Sequence, residues 1–268
     1  MSGAEGPGRC ALITGAANGI GADTARQLVA RGWSVVLVDI DHKALAATAA
    51  ALGPAVLALH ADVTDERATR TAVAAAVERF GRLDVVVANA AIETLGPVAS
   101  LAPADAARLI EVDLLGVWAT VRVALPELTR AGGYVLLVTS VAAATQGPFN
   151  WAYSAAKAGV VALGRTLRLE SRGSGVAVGI AYFGYVDTPT ARRSVEHPAM
   201  APIMASMPGP MRRPVPVERA AAGLVRAIER RSRRVVVPRS LVMAVELPEL
   251  TQRLSELAFR RVGLHWRE

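Results

Sequence analysis

Cysteine is almost absent from this sequence, whose 268 residues contain a single thiol at Cys10. One thiol cannot form an internal disulfide or a cysteine-based zinc cluster, so we expect a reducing compartment. Apolar runs are also short, and each is broken well before the length of a membrane span. The first eight residues lack the basic and apolar segments of a secretory signal. These features together predict a cytoplasmic protein.

Aromatic side chains are scarce as well, at 4% of the chain, and acids are outnumbered: 23 Asp and Glu stand against 30 Lys and Arg. A formal charge of +7 could indicate a nucleic-acid partner, but no aromatic or glycine-rich pattern accompanies the basic residues. The densest basic run, residues 230–234, falls where a helix is predicted to end, and cations there favour the helix dipole. We therefore expect no nucleic-acid partner.

Short apolar runs alternate with longer helical patterns along most of the chain. Their continuous apolarity is typical of strands covered on both faces, as in a parallel sheet. The repeated order of strand and helix predicts a single α/β domain, with a three-layer, doubly wound (Rossmann-type) sheet of about seven strands. The predicted strands are 11–13, 35–38, 56–59, 85–88, 134–138, 176–180 and 235–237.

Residues 184–216 depart from this alternation, because they show many prolines but no clear strand or long helix. Long loops of this kind are usually functional or mobile, and methionine suits an apolar lid that adapts to a ligand. A subunit contact or simple core filling is the alternative. The methionines of the segment are Met200, Met204, Met207 and Met211.

Residues 239–268 form a predicted helical extension with apolar residues at helical spacing and arginines between them. The apolar face could pack against the body or a sister subunit, or lie on an anionic membrane surface. Its members are Leu247, Leu250, Leu254, Leu257, Ala258 and Val262.

A glycine-rich turn, TGAANGIG at residues 14–21, follows the first predicted strand. Its glycines let the backbone turn tightly and approach a pyrophosphate without an intervening Cβ. The helix that follows offers unpaired N–H groups and the positive end of its dipole. A strand before and a helix after are the context that dinucleotide binding requires. The predicted contacts are Gly15, Asn18, Gly19, Ile20 and Gly21.

Asp39 stands at the end of the second predicted strand, where a carboxylate can accept hydrogen bonds from the adenosine ribose. It would repel a 2′-phosphate, and Ile40 and Asn18 bring no positive charge, so NAD is favoured over NADP. A simple strand-end cap is the alternative for Asp39. Asp62, followed by Val63 after the third strand, would meet the adenine or cap the next helix.

Tyr153 and Lys157 are one helical turn apart in a helix predicted over residues 151–172, so they share a face. An ammonium about 4 Å from a phenolate gives roughly 4 kcal/mol at an effective dielectric near 20, which could lower the pKa of Tyr153 by up to about 3 units. Tyr153 would then act as a general base toward an alcohol or a general acid toward a ketone. Ser140, at the end of the fifth strand, would donate a hydrogen bond to the substrate oxygen.

Taken together, these motifs resemble the short-chain dehydrogenase/reductase family over roughly residues 9–238. The resemblance implies an NAD(P)-dependent alcohol dehydrogenase or ketoreductase. It also implies a homo-oligomer, most often a tetramer, and no metal in catalysis. It rests on TGxxxGIG at 14–21, Asp62-Val63, Asn89-Ala90-Ala91, Ser140, Tyr153-x-x-x-Lys157 and Gly184-Tyr185-Val186-Asp187-Thr188.

The resemblance also implies roles for the matching residues. Tyr153 would be the acid/base, Ser140 the donor to the substrate oxygen, and Lys157 the residue that tunes the tyrosine and holds the nicotinamide ribose. Asn89 would stabilise the central strand near the cofactor, and Val186 and Thr188 would meet the carboxamide. Ala90, Ala91 and Gly184 complete the cofactor-binding set.

Three positions depart from the family's pattern. Ala91 replaces a usual glycine, a mild change if its backbone geometry is ordinary, and Phe183 replaces a proline, which puts a large ring beside the nicotinamide. Asp113 replaces the fourth catalytic residue, an asparagine whose backbone carbonyl helps hold a water that links the lysine to solvent. A backbone role survives this exchange, and the extra anion would strengthen the charge of Lys157, so we expect activity to persist.

Candidate substrate contacts are apolar or aromatic, and no Arg or Lys among them could clamp a carboxylate or phosphate. We therefore expect a neutral, hydrophobic secondary alcohol or its ketone, alicyclic or steroid-like. An NADPH-dependent ketoreductase for acyl thioesters and a non-catalytic NAD-binding sensor or scaffold are the alternatives. The candidates are Ile92, Thr94, Ser140, Ala142, Phe149, Trp151, Tyr153, Phe183 and Tyr185.

Overall fold

A computed structural model of the protein describes residues 8–197, 200, 203–204 and 213–260. Its centre is a seven-stranded, all-parallel sheet with the strand order β3-β2-β1-β4-β5-β6-β7. The prediction of a Rossmann-type sheet of about seven strands is confirmed. The strands are β1 (Cys10–Thr14), β2 (Ser34–Asp39), β3 (Val56–His60), β4 (Val85–Ala88), β5 (Tyr134–Ser140), β6 (Ala177–Phe183) and β7 (Arg234–Val237).

Helices cover both faces of this sheet. A π-helical turn (Glu111–Gly116) joins the fourth helix to the fifth. The sixth helix ends at Glu170 rather than at the predicted Arg172, because the chain turns there toward β6. The described helices are α1 (Gly19–Val29), α2 (His42–Leu52), α3 (Glu66–Phe80), α4 (Pro103–Ile110), α5 (Val117–Ala131), α6 (Trp151–Glu170), α7 (Pro189–Glu196), α8 (Val217–Arg230), α9 (Val242–Glu246) and α10 (Pro248–Arg260).

Successive residues of each strand serve opposite faces, which explains the unbroken apolar runs. Ala11 and Ile13 of β1 join the core that contains Leu28 of α1 and Leu224 of α8. The neighbouring Leu12 belongs to the core on the other face, which is built with α3, α5 and α6. Because the side-chain period of a strand is two, both faces must be apolar when both are covered by helices.

The strand order reverses beside β1, which pairs with β2 on one side and with β4 on the other. The chain therefore leaves the carboxyl ends of β1 and β4 in opposite directions, and a crevice opens between them. This is where the predicted glycine turn and catalytic residues fall.

The segment over residues 184–216 contains α7 and a bridge between Val186 and Val215, while Met207 and Met211 lie outside the described residues. The C-terminal extension contains α9 and α10. Its apolar residues face away from the chain's own core, since Leu247, Leu250, Leu254 and Leu257 are exposed; the side chain of Ala258 and all of Val262 lie outside the description. No helix in the described ranges combines the length and apolarity needed to cross a membrane.

Candidate active site

A cleft of about 610 Å³ opens at the carboxyl ends of the strands. It brings together most residues that the sequence predicts for the cofactor and the chemistry. Those that line it are Gly15, Asn18, Gly19, Ile20, Asp39, Ile40, Asp62, Val63, Asn89, Ala90, Ala91, Ile92, Ser140, Tyr153, Lys157, Phe183, Gly184, Val186 and Thr188.

The glycine turn after β1 is held in a conformation that side chains would obstruct. Gly15 and Gly19 have φ angles of 66° and 56°, in the left-handed region that favours glycine. A Cβ on Gly21 would lie 2.2 Å from the carbonyl oxygen of Gly15, so the close packing of the turn requires glycine here. Gly21 itself does not line the cleft. The Asn89 amide donates to the carbonyl oxygens of Thr14 at 2.9 Å and Gly15 at 3.0 Å, which ties the turn to β4.

The first turn of α1 is open to an anion. Asn18 precedes the helix but makes no side-chain cap, and no acidic residue lies in the first turn. The N–H groups and the positive end of the helix dipole are therefore available. Together with the glycine cradle, this arrangement fits the pyrophosphate of a dinucleotide.

Asp39 both fixes the loops around it and faces the cleft. Its Oδ2 accepts a hydrogen bond from the Ala17 amide at 2.9 Å, and its Oδ1 accepts one from the Asp41 amide at 2.9 Å. The strand-end role considered from the sequence is therefore present. Each oxygen keeps a further lone pair for a ribose hydroxyl, so the two roles are compatible.

Asp62 lies two residues beyond β3, which ends at His60. Asp62 Oδ2 pairs with Arg108 at 2.6 Å. Burial alone would raise the pKa of Asp62, but hydrogen bonds from Thr64 and Arg108 lower it. The alternative that Asp62 caps the next helix is wrong, because Asp65 accepts hydrogen bonds from the first turn of α3.

The catalytic candidates come from β5 and α6, which are tied together. Thr139 donates through its hydroxyl to the carbonyl oxygen of Lys157 at 3.0 Å. Ser140 follows at the strand end, where its Oγ accepts from the Ala142 amide at 3.1 Å. The Lys157 ammonium lies 5.4 Å from the centre of the Tyr153 ring. The three side chains therefore meet at one end of the cleft.

Asp113 holds the lysine through its side chain. Its Oδ2 lies 2.9 Å from Lys157 Nζ, and the side chains of Asp113 and Lys157 are 0% and 3% exposed. Its Oδ1 accepts a hydrogen bond from the Ile92 amide at 2.8 Å. Asp113 does not line the cleft. The resemblance implies a role for its backbone carbonyl, whereas the carboxylate itself forms a buried ion pair with the lysine.

The pKa of Tyr153 moves in the direction opposite to the prediction. Burial raises it, and the negative charges of Glu93 and Asp113 raise it further, while a hydrogen bond with Ser140 opposes them. The predicted lowering by Lys157 is wrong for this structure. The physical reason is that Asp113 neutralises the ammonium and the phenol is shielded from water.

Several predicted substrate contacts do not line the cleft. Phe149 has a left-handed φ of 67°, and its carbonyl oxygen accepts from the Gly96 amide in a loop–loop contact. Ala142 is buried behind Ser140, and Trp151 begins α6 with its side chain half-exposed. The predicted substrate contacts that line the cleft are Ile92, Ser140, Tyr153 and Phe183. The prediction is therefore corrected for the residues outside this lining, which are Thr94, Ala142, Phe149, Trp151 and Tyr185. Ala91 has no left-handed φ, so alanine can replace the family's usual glycine at this position without backbone strain.

The cleft also contains charged residues that sequence reasoning missed. The expectation that no basic residue could clamp an acid is wrong, because Arg108 and Arg193 line the cleft. Glu93 lines it as well and accepts a hydrogen bond at 2.5 Å from Ser194 of α7. Burial raises the pKa of Glu93, although the bond from Ser194 opposes this. The one available signal for Glu93 was an acid directly after Ile92 in an otherwise apolar loop.

Several known proteins are similar to this chain in sequence or in fold. The chain is 41% identical to cis-4-hydroxycyclohexanecarboxylate dehydrogenase of Sinomonas cyclohexanicum over 185 residues, which cover 68% of this chain and 74% of that protein. It is 35% identical over 220 residues to an uncharacterized NAD-dependent oxidoreductase of Mycobacterium tuberculosis, covering 75% and 78%. A short-chain dehydrogenase/reductase from Burkholderia phymatum, solved in complex with NAD, superposes with a TM-score of 0.81 at 25% identity, covering 92% and 95%.

The sequence model of the short chain dehydrogenase family matches residues 9–199, a span that contains the glycine turn, Asp113, Ser140, Tyr153 and Lys157. The family resemblance drawn from the motifs and the prediction of an NAD(P)-dependent oxidoreductase are therefore confirmed. This chain belongs to the short-chain dehydrogenase/reductase family.

Proposed function

We propose that this protein is an NAD-dependent dehydrogenase that interconverts a hydrophobic, alicyclic secondary alcohol and its ketone. The observation that carries the proposal is the meeting of Ser140, Tyr153 and Lys157 at one end of a cleft whose other end has the glycine turn and Asp39. An acid/base and a dinucleotide cradle in one cleft are what hydride transfer to or from an alcohol carbon needs.

Each step of the proposed reaction is assigned to a side chain in the cleft or in contact with it. Ser140 donates a hydrogen bond to the substrate oxygen and holds it beside Tyr153, whose phenolate takes the hydroxyl proton during oxidation and whose phenol returns it during reduction. Lys157 supplies the positive charge at the tyrosine, and Asp113 fixes its ammonium at 2.9 Å. Bound NAD would supply the acceptor for the hydride that leaves the alcohol carbon, together with a positive charge that favours the phenolate.

The choice of NAD is supported by Asp39 and by relatives whose names include NAD. A carboxylate at the ribose disfavours a 2′-phosphate, and Ile40 beside it brings no compensating charge. Gly15 and Gly19 with the open first turn of α1 would hold the pyrophosphate, and Gly21 would keep the turn closely packed. Val186 and Thr188 also line the cleft and would meet the carboxamide.

A ring-shaped substrate is supported by the apolar side chains Ile92 and Phe183 in the cleft and by the relative named for a hydroxycyclohexanecarboxylate. A hydroxy acid is a second candidate. It is favoured by Arg193, because this residue lines the cleft and its guanidinium could bind a carboxylate.

The protein is further proposed to act in the cytoplasm as a single-domain homo-oligomer, a dimer or tetramer, with α7 as the described part of a lid over the cleft. Exposed apolar residues support the assembly, since Leu115, Trp118 and Leu169 are 49%, 44% and 60% exposed. The leucines of α10 face away from the chain's own core as well, which suits a sister subunit better than a membrane surface because Glu249 and Glu256 flank them.

A substrate survey tests the proposed function. Reduced nicotinamide would be followed with NAD and then with NADP across cyclic alcohols, acyclic alcohols and hydroxy acids. We expect turnover of cyclic secondary alcohols, a preference for NAD, and a loss of activity of about 100-fold or more in Ser140→Ala. Turnover only of acyl thioesters with NADPH, or NAD binding without turnover of any alcohol, would contradict the proposal.

A further inference from the structure

We propose that Glu93 is a specificity-determining residue, whose carboxyl group accepts a hydrogen bond from a second hydroxyl group on a neutral ring substrate. The substrate class is therefore a cyclic diol or hydroxyketone, and a ring that carries a carboxylate is disfavoured. This inference rests on the proposed function, because it assigns a substrate to the same cleft.

Glu93 lies in the loop between β4 and α4, one residue beyond Ile92, whose amide is held by Asp113 at 2.8 Å. Asp113 is in turn paired with Lys157. The backbone next to Glu93 is thus fixed to the catalytic lysine. The Glu93 side chain lines the same cleft as Tyr153, and its charge is felt at the Tyr153 hydroxyl. Glu93 is therefore placed to contact the part of a substrate that lies beyond its reacting carbon.

A hydroxyl group already occupies one oxygen of this carboxyl. Ser194 of α7 donates to Glu93 Oε2 at 2.5 Å, and a second acceptor, the carbonyl oxygen of Thr190, lies 3.3 Å from the same hydroxyl. Ser194 therefore occupies Oε2 and leaves Oε1 of Glu93 for a substrate hydroxyl. The contact with Ser194 shows that this carboxyl can accept a hydrogen bond from an aliphatic hydroxyl.

Glu93 has remaining hydrogen-bonding capacity at the end of the cleft that contains Tyr153. Asp62 is paired with Arg108, and both oxygens of Asp39 accept backbone amides. Within the described ranges, Glu93 has no cation within 4.0 Å, and its Oε1 accepts no hydrogen bond. A carboxyl group without a cation partner that faces a cleft accepts hydrogen bonds from donors, and in its ionised form it repels anions.

This charge bears directly on the choice between the two candidate substrates. A carboxylate on the ring would have to approach Glu93 in a partly desolvated cleft, where like charges repel more strongly than in water. A hydroxyl at the same ring position would instead complete the free acceptor of Glu93. Sites built to hydrogen-bond a hydroxyl discriminate strongly against analogues that lack it, since the protein group is left unpaired.

Three ring alcohols of similar size test the inference: cyclohexane-1,4-diol, 4-methylcyclohexanol and 4-hydroxycyclohexanecarboxylate. The value of kcat/KM with NAD would be measured for wild type, Glu93→Gln and Glu93→Leu. Glu127→Gln is the matched control, because Glu127 pairs with Arg130 on the protein surface. The thermal midpoint of each variant establishes that it is folded.

We expect wild type and Glu127→Gln to prefer the diol over both analogues by at least about tenfold. Glu93→Gln keeps an acceptor but loses the charge, so it should keep the preference over the methyl analogue and raise kcat/KM for the carboxylate by about tenfold or more. Glu93→Leu should lose the preference for the diol.

Two further outcomes separate the two proposals. A wild type that oxidises these alcohols with ratios unchanged in Glu93→Leu, or that prefers the carboxylate, overturns the role of Glu93 and leaves the dehydrogenase intact. A wild type that oxidises no ring alcohol at all overturns the proposed function, and the role of Glu93 with it.

Discussion

At the residue scale, the chemistry depends on how much of the Lys157 charge reaches Tyr153. The ammonium lies 5.4 Å from the centre of the tyrosine ring and 2.9 Å from a carboxylate oxygen of Asp113. A buried pair of this kind holds the lysine in place, but it also offsets the field that the lysine exerts on its neighbours. The tyrosine is therefore ionised with more difficulty than its spacing from the lysine alone would indicate.

Replacement of Asp113 by asparagine should shift the pH profile of alcohol oxidation. In the proposed mechanism, oxidation needs the Tyr153 phenolate, so kcat/KM should rise with pH, and the Asp113 charge raises the pKa of Tyr153. Asp113→Asn removes that charge and lowers the pKa, so the rise should occur at lower pH, by up to about one unit. The measurement is kcat/KM for oxidation against pH in both proteins. A shift of the rise to higher pH would contradict this electrostatic description.

The roles of individual residues were predicted less well from the sequence than the fold was. The pair of Tyr153 and Lys157 follows from local spacing, because four residues are about one helical turn. The ion pair of Lys157 with Asp113 joins residues far apart in the chain, and the bond of Glu93 with Ser194 spans 101 residues. No local pattern shows such contacts. The predicted pKa of Tyr153 failed because it counted only the charge of Lys157. The family resemblance placed Asp113 near the lysine, but burial and the effects of Asp113 and Glu93 on the tyrosine were not counted.

At the scale of elements, the glycine turn and the first helix form one unit. The carbonyl oxygen of Gly15 occupies the space where a Cβ of Gly21 would stand, and the Asn89 amide holds that carbonyl from β4. The positions of the turn, α1 and β4 are therefore linked. A change in one of them should reach the cofactor even when it does not line the cleft.

Substitution of Gly21 by alanine tests this unit. The added Cβ would lie 2.2 Å from a backbone oxygen, so the turn must shift, and NAD affinity should fall by at least about tenfold. Gly147→Ala is the matched control, because a Cβ there meets nothing within 4 Å. The Kd for NAD would be measured by titration calorimetry. Equal Kd values for Gly21→Ala and wild type would exclude a rigid cradle.

Elements themselves were predictable to within a few residues. Each strand was found because burial on both faces requires an unbroken apolar run, and the helices between them were long enough to be recognised. The end of α6 at Glu170 was missed by two residues, since helix ends depend on weak local preferences. The position of α7 against the loop that carries Glu93 depends on tertiary contacts and left no pattern in the sequence.

At the scale of the whole molecule, the site lies where the strand order of the parallel sheet reverses beside β1. The proposed assembly of subunits depends instead on the exposed apolar side chains. Leu115 and Trp118 are exposed next to the π-helical turn, and Arg122 stacks over the Trp118 ring at 5.1 Å. Large apolar side chains that are exposed close together on one helical face can mark an interface. The face of α5 is therefore our proposed contact between subunits.

Light scattering coupled to gel filtration tests this contact. We expect the wild type to have a mass of two or four chains and Trp118→Asp to dissociate into smaller species, because a charged and smaller side chain would replace the apolar ring in the contact. Leu254→Asp, on the exposed face of α10, is the comparison that separates the two apolar surfaces. A monomeric wild type would contradict the proposed assembly. Dissociation only in Leu254→Asp would move the contact to α10.

The central claim is that Tyr153 exchanges the proton of a ring alcohol held beside the nicotinamide. Its most direct test is to compare wild type with Tyr153→Phe in two measurements, the Kd for NAD and the rate of nicotinamide reduction by a cyclic alcohol in a single turnover. We predict that the Kd changes by less than about threefold while the rate falls by roughly 100- to 10,000-fold. A Tyr153→Phe variant that reduces NAD at the wild-type rate would contradict the account.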